Sequence, residues 1–144
     1  MQLSYLISTF FYLGKIKFFP GSIASLATLF LWNLLVPENL LIRLIILFII
    51  AFSGHLSIKK TLPLFKEEDP QCIVVDEVLG MSIPLLLITN NLLLAILAFS
   101  LFRLFDILKP SIIYYSQDFQ GPIGILIDDI LSGIITALII VNYI

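Results

Sequence analysis

Cysteine, histidine and charge are all scarce in this sequence, and each scarcity removes a class of function. A single cysteine, Cys72, excludes an internal disulfide, and the lack of any CxxC or Cys/His cluster excludes a zinc or thiol-redox motif. Charged residues make up 12% of the chain and the net charge is −2, a balance that argues against a nucleic-acid partner. Internal repeats and low-complexity segments are absent. Lys15 and Lys17 precede the first long apolar segment and further apolar segments follow it, which is not the pattern of a cleaved signal peptide. What is abundant is apolar surface. Of the 144 residues 60% are hydrophobic and the mean hydropathy is +1.10, more than a soluble domain of this size needs. Several Leu/Ile-rich runs approach the ~20 residues that cross a hydrocarbon core. The expectation is one all-α domain over residues 1–144. It would be a polytopic helical membrane bundle with about four to five membrane helices and an N-terminal interfacial helix.

Residues 1–19 are amphipathic and aromatic, and read as that interfacial helix. Pro20-Gly21-Ser22 breaks the chain, with Ser22 as N-cap of a first span over residues 22–36. A second span covers residues 40–58 after the turn Pro37-Glu38-Asn39. A charged aqueous stretch follows, then a third span over residues 72–88, the turn Asn90-Asn91, and a fourth span over residues 92–108 that Pro110 terminates. Residues 111–122 read as a polar, aromatic loop, and residues 123–141 as the last span. Trp32 and Tyr143 read as interfacial belt residues. Lys15, Lys17, Lys59, Lys60, Lys66, Arg103 and Lys109 fall on one side of this arrangement and only Arg43 on the other, so the first side is assigned to the cytoplasm.

Against this apolar background the carboxylates stand out. GILIDDILSG places Asp128 and Asp129 side by side in an apolar helix, where a charge at mid-membrane costs roughly 2.5–3.5 kcal/mol even on lenient scales. IVVDEVLG places Asp76 and Glu77 in the first turns of the third span. With ~1.5 Å of rise per residue, both pairs lie within about 10 Å of the cytoplasmic helix ends, level with Asp106 in FRLFDILKP. Arg103, Asp106 and Lys109 share a face at three-residue spacing; they could form a snorkelling ladder or point at a ligand. Five acids against two nearby cations is an excess that either raises pKa values or binds a divalent ion, and carboxylate oxygens favour Mg²⁺, Mn²⁺ or Ca²⁺. KFFPGSIAS offers Lys15, Lys17 and a helix start that could hold phosphate, although Gly21 and Ser25 equally suit close helix packing. Gly80, Gly124 and Gly133 flank the acids, where a missing side chain permits close approach. Together these features suggest metal-assisted chemistry on a phosphorylated lipid head group.

The ordered blocks FPGSIASLATL, EDPQCIVVDEVLGM, FRLFDILKP and GPIGILIDDILSG resemble the phosphatidylglycerophosphatase A family over nearly the whole chain. The resemblance implies a Mg²⁺-dependent lipid phosphatase of the bacterial inner membrane. Such an enzyme converts phosphatidylglycerophosphate to phosphatidylglycerol and inorganic phosphate, here with its active site on the cytoplasmic side. Carried onto this sequence, the motif positions fall on Pro20, Gly21 and Ser25, on Asp76, Glu77 and Gly80, on Arg103, Asp106, Lys109 and Pro110, and on Gly124, Asp128, Asp129 and Gly133. The chain departs from the family pattern at Gly121-Pro122, where a Gly-Gly pair is usual, and at Ser111-Ile112-Ile113. The expected site has Asp76, Glu77, Asp128 and Asp129 as metal ligands, with Asp106 completing or orienting the centre. Asp106, Asp128, Asp129 and Glu77 are the candidate catalytic groups; Arg103, Lys109, Gly21 and Ser22 are the candidate substrate-binding residues. A phospholipid head-group phosphotransferase is the enzymatic rival, disfavoured because the CDP-alcohol signature DG-x2-AR is missing. A small cation transporter is the other rival, disfavoured because the outer helix halves offer only Arg43 and Asn33.

Overall fold

The computed structural model describes residues 1–67, 70–110 and 121–143, and the described residues form helices and turns with no strand. The helices are α1 (Gln2–Ser8), α2 (Pro20–Leu35), α3 (Leu40–Thr61), α4 (Val75–Leu85), α5 (Leu92–Leu108) and α6 (Gly121–Ile140), with short 3-10 turns at Leu13–Lys15, Leu62–Leu64 and Val141–Tyr143. The expected all-α architecture is therefore present. Helices α3 and α6, with their 3-10 extensions, are long and apolar enough to cross a membrane (Leu40–Leu64 and Gly121–Tyr143), while α2 is apolar but shorter.

Short α4 is the centre of the bundle. It packs most extensively on α6 and then on α2, α3 and α5, and nine of its eleven residues are buried. Its crossing with α6 is made by glycine. A β-carbon on Gly133 would overlap the Gly80 carbonyl, and one on Gly80 would come within 2.6 Å of the Asp129 carbonyl and 2.7 Å of the Phe102 ring. Two backbones can meet this closely only where side chains are absent. Pro84 adds to the arrangement: it has no N–H for the Gly80 carbonyl four residues earlier, so that carbonyl is released toward Gly133. At the far end of α4 the guanidinium of buried Arg43 donates to the carbonyls of Leu85, Leu86 and Ile88 at 2.7–3.2 Å, and its Nε donates to Pro37 O. One side chain thus satisfies the acceptors that a helix C-terminus leaves open.

Several sequence expectations are corrected. The third helix does not fill residues 72–88: α4 has 11 residues, about 16 Å of rise, because Pro84 weakens the ladder and Arg43 takes its last carbonyls. Helix α2 starts at Pro20, so Ser22 lies inside the first turn and does not cap it. Proline's fixed φ and missing N–H suit the first helical position. Residues 1–19 are not one helix, since Phe10, Phe11 and Tyr12 are all left-handed (φ 42°, 55° and 67°) and cannot continue a right-handed helix. Trp32 is no belt residue; it is 4% exposed and packs in the main core with Leu29, Met81, Leu85 and Phe102. Tyr143 is exposed, as a belt residue would be. Asn39 and Asn91 cap α3 and α5 through their side-chain oxygens, in agreement with turns at those positions. The loop expected over residues 111–122 falls on 111–120, outside the described residues, and Gly121 and Pro122 already belong to α6.

Candidate active site

One end of the bundle holds a cavity of about 460 Å³ to which four separated segments contribute. Helix α4 enters it with Asp76 and Glu77 in its first turn, and α6 with Asp128 and Asp129. The end of α5 supplies Arg103, Asp106 and Lys109, and the start of α2 supplies Pro20 and Gly21. Every sequence-expected site residue except Ser22 lines this space.

Within the cavity the acids divide. One carboxylate oxygen from each of Asp76, Glu77 and Asp129 lies within 4.8 Å of the others, a spacing that one ion could bridge. The Gly80–Gly133 crossing produces this approach, because it clamps the first turns of α4 against the stretch of α6 that carries Asp129. Gly21 completes the packing from the other side: it lies directly against the Glu77 carboxylate, and a β-carbon there would overlap Oε1. Asp106 is within electrostatic reach of both Glu77 and Asp129. Asp128 points elsewhere, since neighbours on a helix diverge by about 100°. Its Oδ2 lies 2.6 Å from Lys109 Nζ, while Arg103 Nη1 lies 2.6 Å from Asp106 Oδ2. The four-carboxylate set expected from sequence is thus three convergent acids and one acid held by a lysine.

Two groups are left with unmet chemistry. Glu77 Oε2 is buried with no hydrogen-bond partner among the described residues, and the same is true of Arg103 Nε. A buried carboxylate oxygen and a buried guanidinium N–H rarely stay unpaired unless something else is bound there. The donor set is all hard carboxylate oxygen, which fits Mg²⁺, Mn²⁺ or Ca²⁺ and not a soft metal. Lys109 sits at the C-cap of α5 in a left-handed conformation (φ 43°) that turns its side chain toward α6. Burial alone would lower its pKa. The hydrogen bond and charge of Asp128, with Asp106 and Asp129 behind it, instead hold the ammonium above the ordinary lysine range. Burial pushes the Cys72 thiol up, away from the thiolate that reactivity would need.

The cavity also takes Lys17, Phe18, Phe19, Gln71 and Ile73, from the segments that lead into α2 and α4. In the sequence Lys17 stands among the cytoplasmic-side basic residues and in a weak anion motif, while Phe18, Phe19 and Gln71 carry no site signal of their own. The available signal was adjacency, for each lies within five residues of Pro20-Gly21 or Asp76.

These features define a class before any comparison: an all-helical protein with an acidic, cation-suited centre beside an arginine, at one end of an apolar bundle. The chain belongs to the phosphatidylglycerophosphatase A family, whose model matches residues 6–144, and thus to a family of phosphoric monoester hydrolases. It is 32% identical to phosphatidylglycerophosphatase A of Escherichia coli, over 92% of this chain and 78% of that protein. It is 34% identical to phosphatidylglycerophosphatase A of Haemophilus influenzae, over 94% of this chain and 85% of that protein. A Bacteroides thetaiotaomicron protein provisionally named a phosphatidylinositol-3-phosphatase is 36% identical, over 94% of this chain and 89% of its own length. No solved structure matches the chain.

Proposed function

We propose that this protein hydrolyses phosphatidylglycerophosphate to phosphatidylglycerol and inorganic phosphate, with Mg²⁺ held by Asp76, Glu77 and Asp129. The observation that carries the reading is the convergence of those three carboxylates to within 4.8 Å, next to an arginine with an unsatisfied buried Nε, in a chain of this family. When bound there, the ion would offset the mutual repulsion of the acids and polarise a phosphoryl oxygen. Arg103, fixed by Asp106, directs its remaining guanidinium N–H groups at the phosphate, a planar fork suited to phosphoryl oxygens. Lys109 is committed to Asp128 and keeps its positive charge at the cavity edge, where it favours an anionic substrate. In the net reaction a water oxygen bonds to phosphorus, the bond from phosphorus to the glycerol oxygen breaks, and a proton passes to that oxygen. Asp106, beside Arg103 and the metal-site acids, is placed to hold or move that proton.

In this reading the protein lies in the bacterial cytoplasmic membrane as a multi-pass bundle with the cavity at the cytoplasmic surface. Support comes from α3, whose apolar window is only 22% buried and whose Phe48, Ile49 and Phe52 face outward. A core helix of a water-soluble protein would hide such a face; a lipid-facing helix displays it. Phosphate release from phosphatidylglycerophosphate by the detergent-solubilised protein, with Mg²⁺ and then with EDTA, tests the assignment. Release that depends on the metal is expected; none under either condition would overturn it.

A phosphorylated inositol lipid is the second reading, favoured by the 36% identity to the Bacteroides thetaiotaomicron protein. Assay of both lipids side by side separates the two.

A further inference from the structure

Arg103 and Lys109 are each tied to a carboxylate, but a third cation lines the same cavity. Lys17 takes part in no ion pair among the described residues, and its only close aromatic neighbour is Phe18, whose ring centre is 5.8 Å from Nζ. It belongs to a short rim, Lys17-Phe18-Phe19, that precedes α2. Phe18 and Phe19 line the cavity and yet are 68% and 78% exposed. Phe19 is held left-handed (φ 50°), and Pro20 follows it as the first helical residue, so the backbone at this rim is fixed. An exposed aromatic pair beside an uncommitted ammonium fits the head-group layer of a membrane, where rings rest against glycerol and acyl carbons and a lysine meets phosphate.

The chemistry of the substrate class supplies the match. Given the lipid phosphatase reading on which this inference rests, the substrate carries two phosphates: a terminal monoester that reacts and a diester that joins the head group to diacylglycerol. The monoester belongs with Arg103 and the acidic centre. The diester lies closer to the acyl chains, and so toward the aromatic rim. We propose that Lys17 is a specificity-determining residue that binds the non-reacting phosphodiester of the lipid substrate. A compact ammonium suits this singly charged group, which needs a point charge more than a bidentate fork.

The test compares the wild-type chain with Lys17→Ala, Lys17→Arg and Lys15→Ala in vesicles of neutral phosphatidylcholine containing phosphatidylglycerophosphate. Lys15 is the control for general membrane electrostatics, because its ammonium lies over the rings of Tyr5 and Tyr12 at 5.0 and 4.9 Å and does not line the cavity. Glycerol 3-phosphate, which matches the terminal monoester of the head group and has no phosphate beside diacylglycerol, is added as a competitor. Lys17→Ala is expected to raise KM by about five- to tenfold with kcat within about twofold, the pattern of lost binding without lost transition-state stabilisation. Lys17→Arg should recover most of the KM, Lys15→Ala should stay near wild type, and the inhibition constant of glycerol 3-phosphate should not change in Lys17→Ala. An unchanged KM in Lys17→Ala overturns the assignment, as does an equal effect of Lys15→Ala or an equal weakening of glycerol 3-phosphate. A wild-type chain that releases no phosphate overturns the functional reading itself, a result distinct from any of these.

Discussion

At the scale of single residues, Asp129 and Gly21 have opposite natures and converge on the same few atoms. Asp129 is the buried acid that α6 contributes to the three-carboxylate group, so Asp129→Asn should lower phosphate release by at least about 100-fold, since losing a direct ligand should cost no less than losing an outer-shell partner. The variant should still fractionate with membranes. Substantial turnover by it in the presence of Mg²⁺ would count against the metal assignment. Gly21→Ala makes a finer test. Alanine is the better helix former by about 1 kcal/mol, so the unfolding midpoint should hold or rise. The new methyl group must displace the Glu77 carboxylate, however, and kcat should fall by about tenfold. A variant with normal kcat would show that the position of Glu77 is not critical. Asp129 could be suspected from sequence because an acid in an apolar helix is energetically anomalous. The partner of Gly21 could not be found there, since a glycine's spacing does not say which side chain occupies the space it leaves.

At the scale of elements, the sequence located helices well where apolar length alone defines them. The fourth span, expected over residues 92–108, coincides with α5, and the termini of α3 and α6 differ from expectation by three residues or fewer. The central helix is shorter than its apolar run for a physical reason. Residues 72–88 are apolar throughout, and hydropathy carries no information about which carbonyls an arginine will take from another helix. In the sequence Arg43 is one polar residue in an apolar helix; in the structure it closes α4 by donating to the carbonyl of Leu85 at its end and to those of Leu86 and Ile88 just beyond it. Arg43→Ala should therefore destabilise the protein by about 3 kcal/mol, through buried acceptors left without donors. Arg43→Lys should recover only part of this, since an ammonium lacks the planar fork that reaches several carbonyls at once. Denaturant unfolding in a fixed detergent measures both, and equal stability of all three proteins would show that water replaces the guanidinium without penalty.

For the molecule as a whole, the proposed Mg²⁺ assignment has a consequence for stability, since three acids from two helices would attract one another only through an ion. Saturating Mg²⁺ should raise the thermal midpoint of the wild-type chain, by an amount that grows with the logarithm of concentration, and EDTA should reverse it. The same titration on Asp129→Asn should give a much smaller shift, a readout independent of turnover. The convergence of acids at one end of the bundle was legible in the sequence from their depth along successive spans. The separation of Asp128 from the other three was not, because it depends on the left-handed turn at Lys109. The four segments that surround the cavity lie far apart along the chain, from Lys17 to Asp129. Synthesis runs from the N-terminus, so Asp76 and Glu77 emerge long before the helix that brings Asp129. A nascent chain that ends before α6 has two acids beside each other and no third, however well its first helices have inserted. Activity should therefore appear as a late, single step in the life of each molecule, and shortened chains that lack α6 should be silent rather than weak.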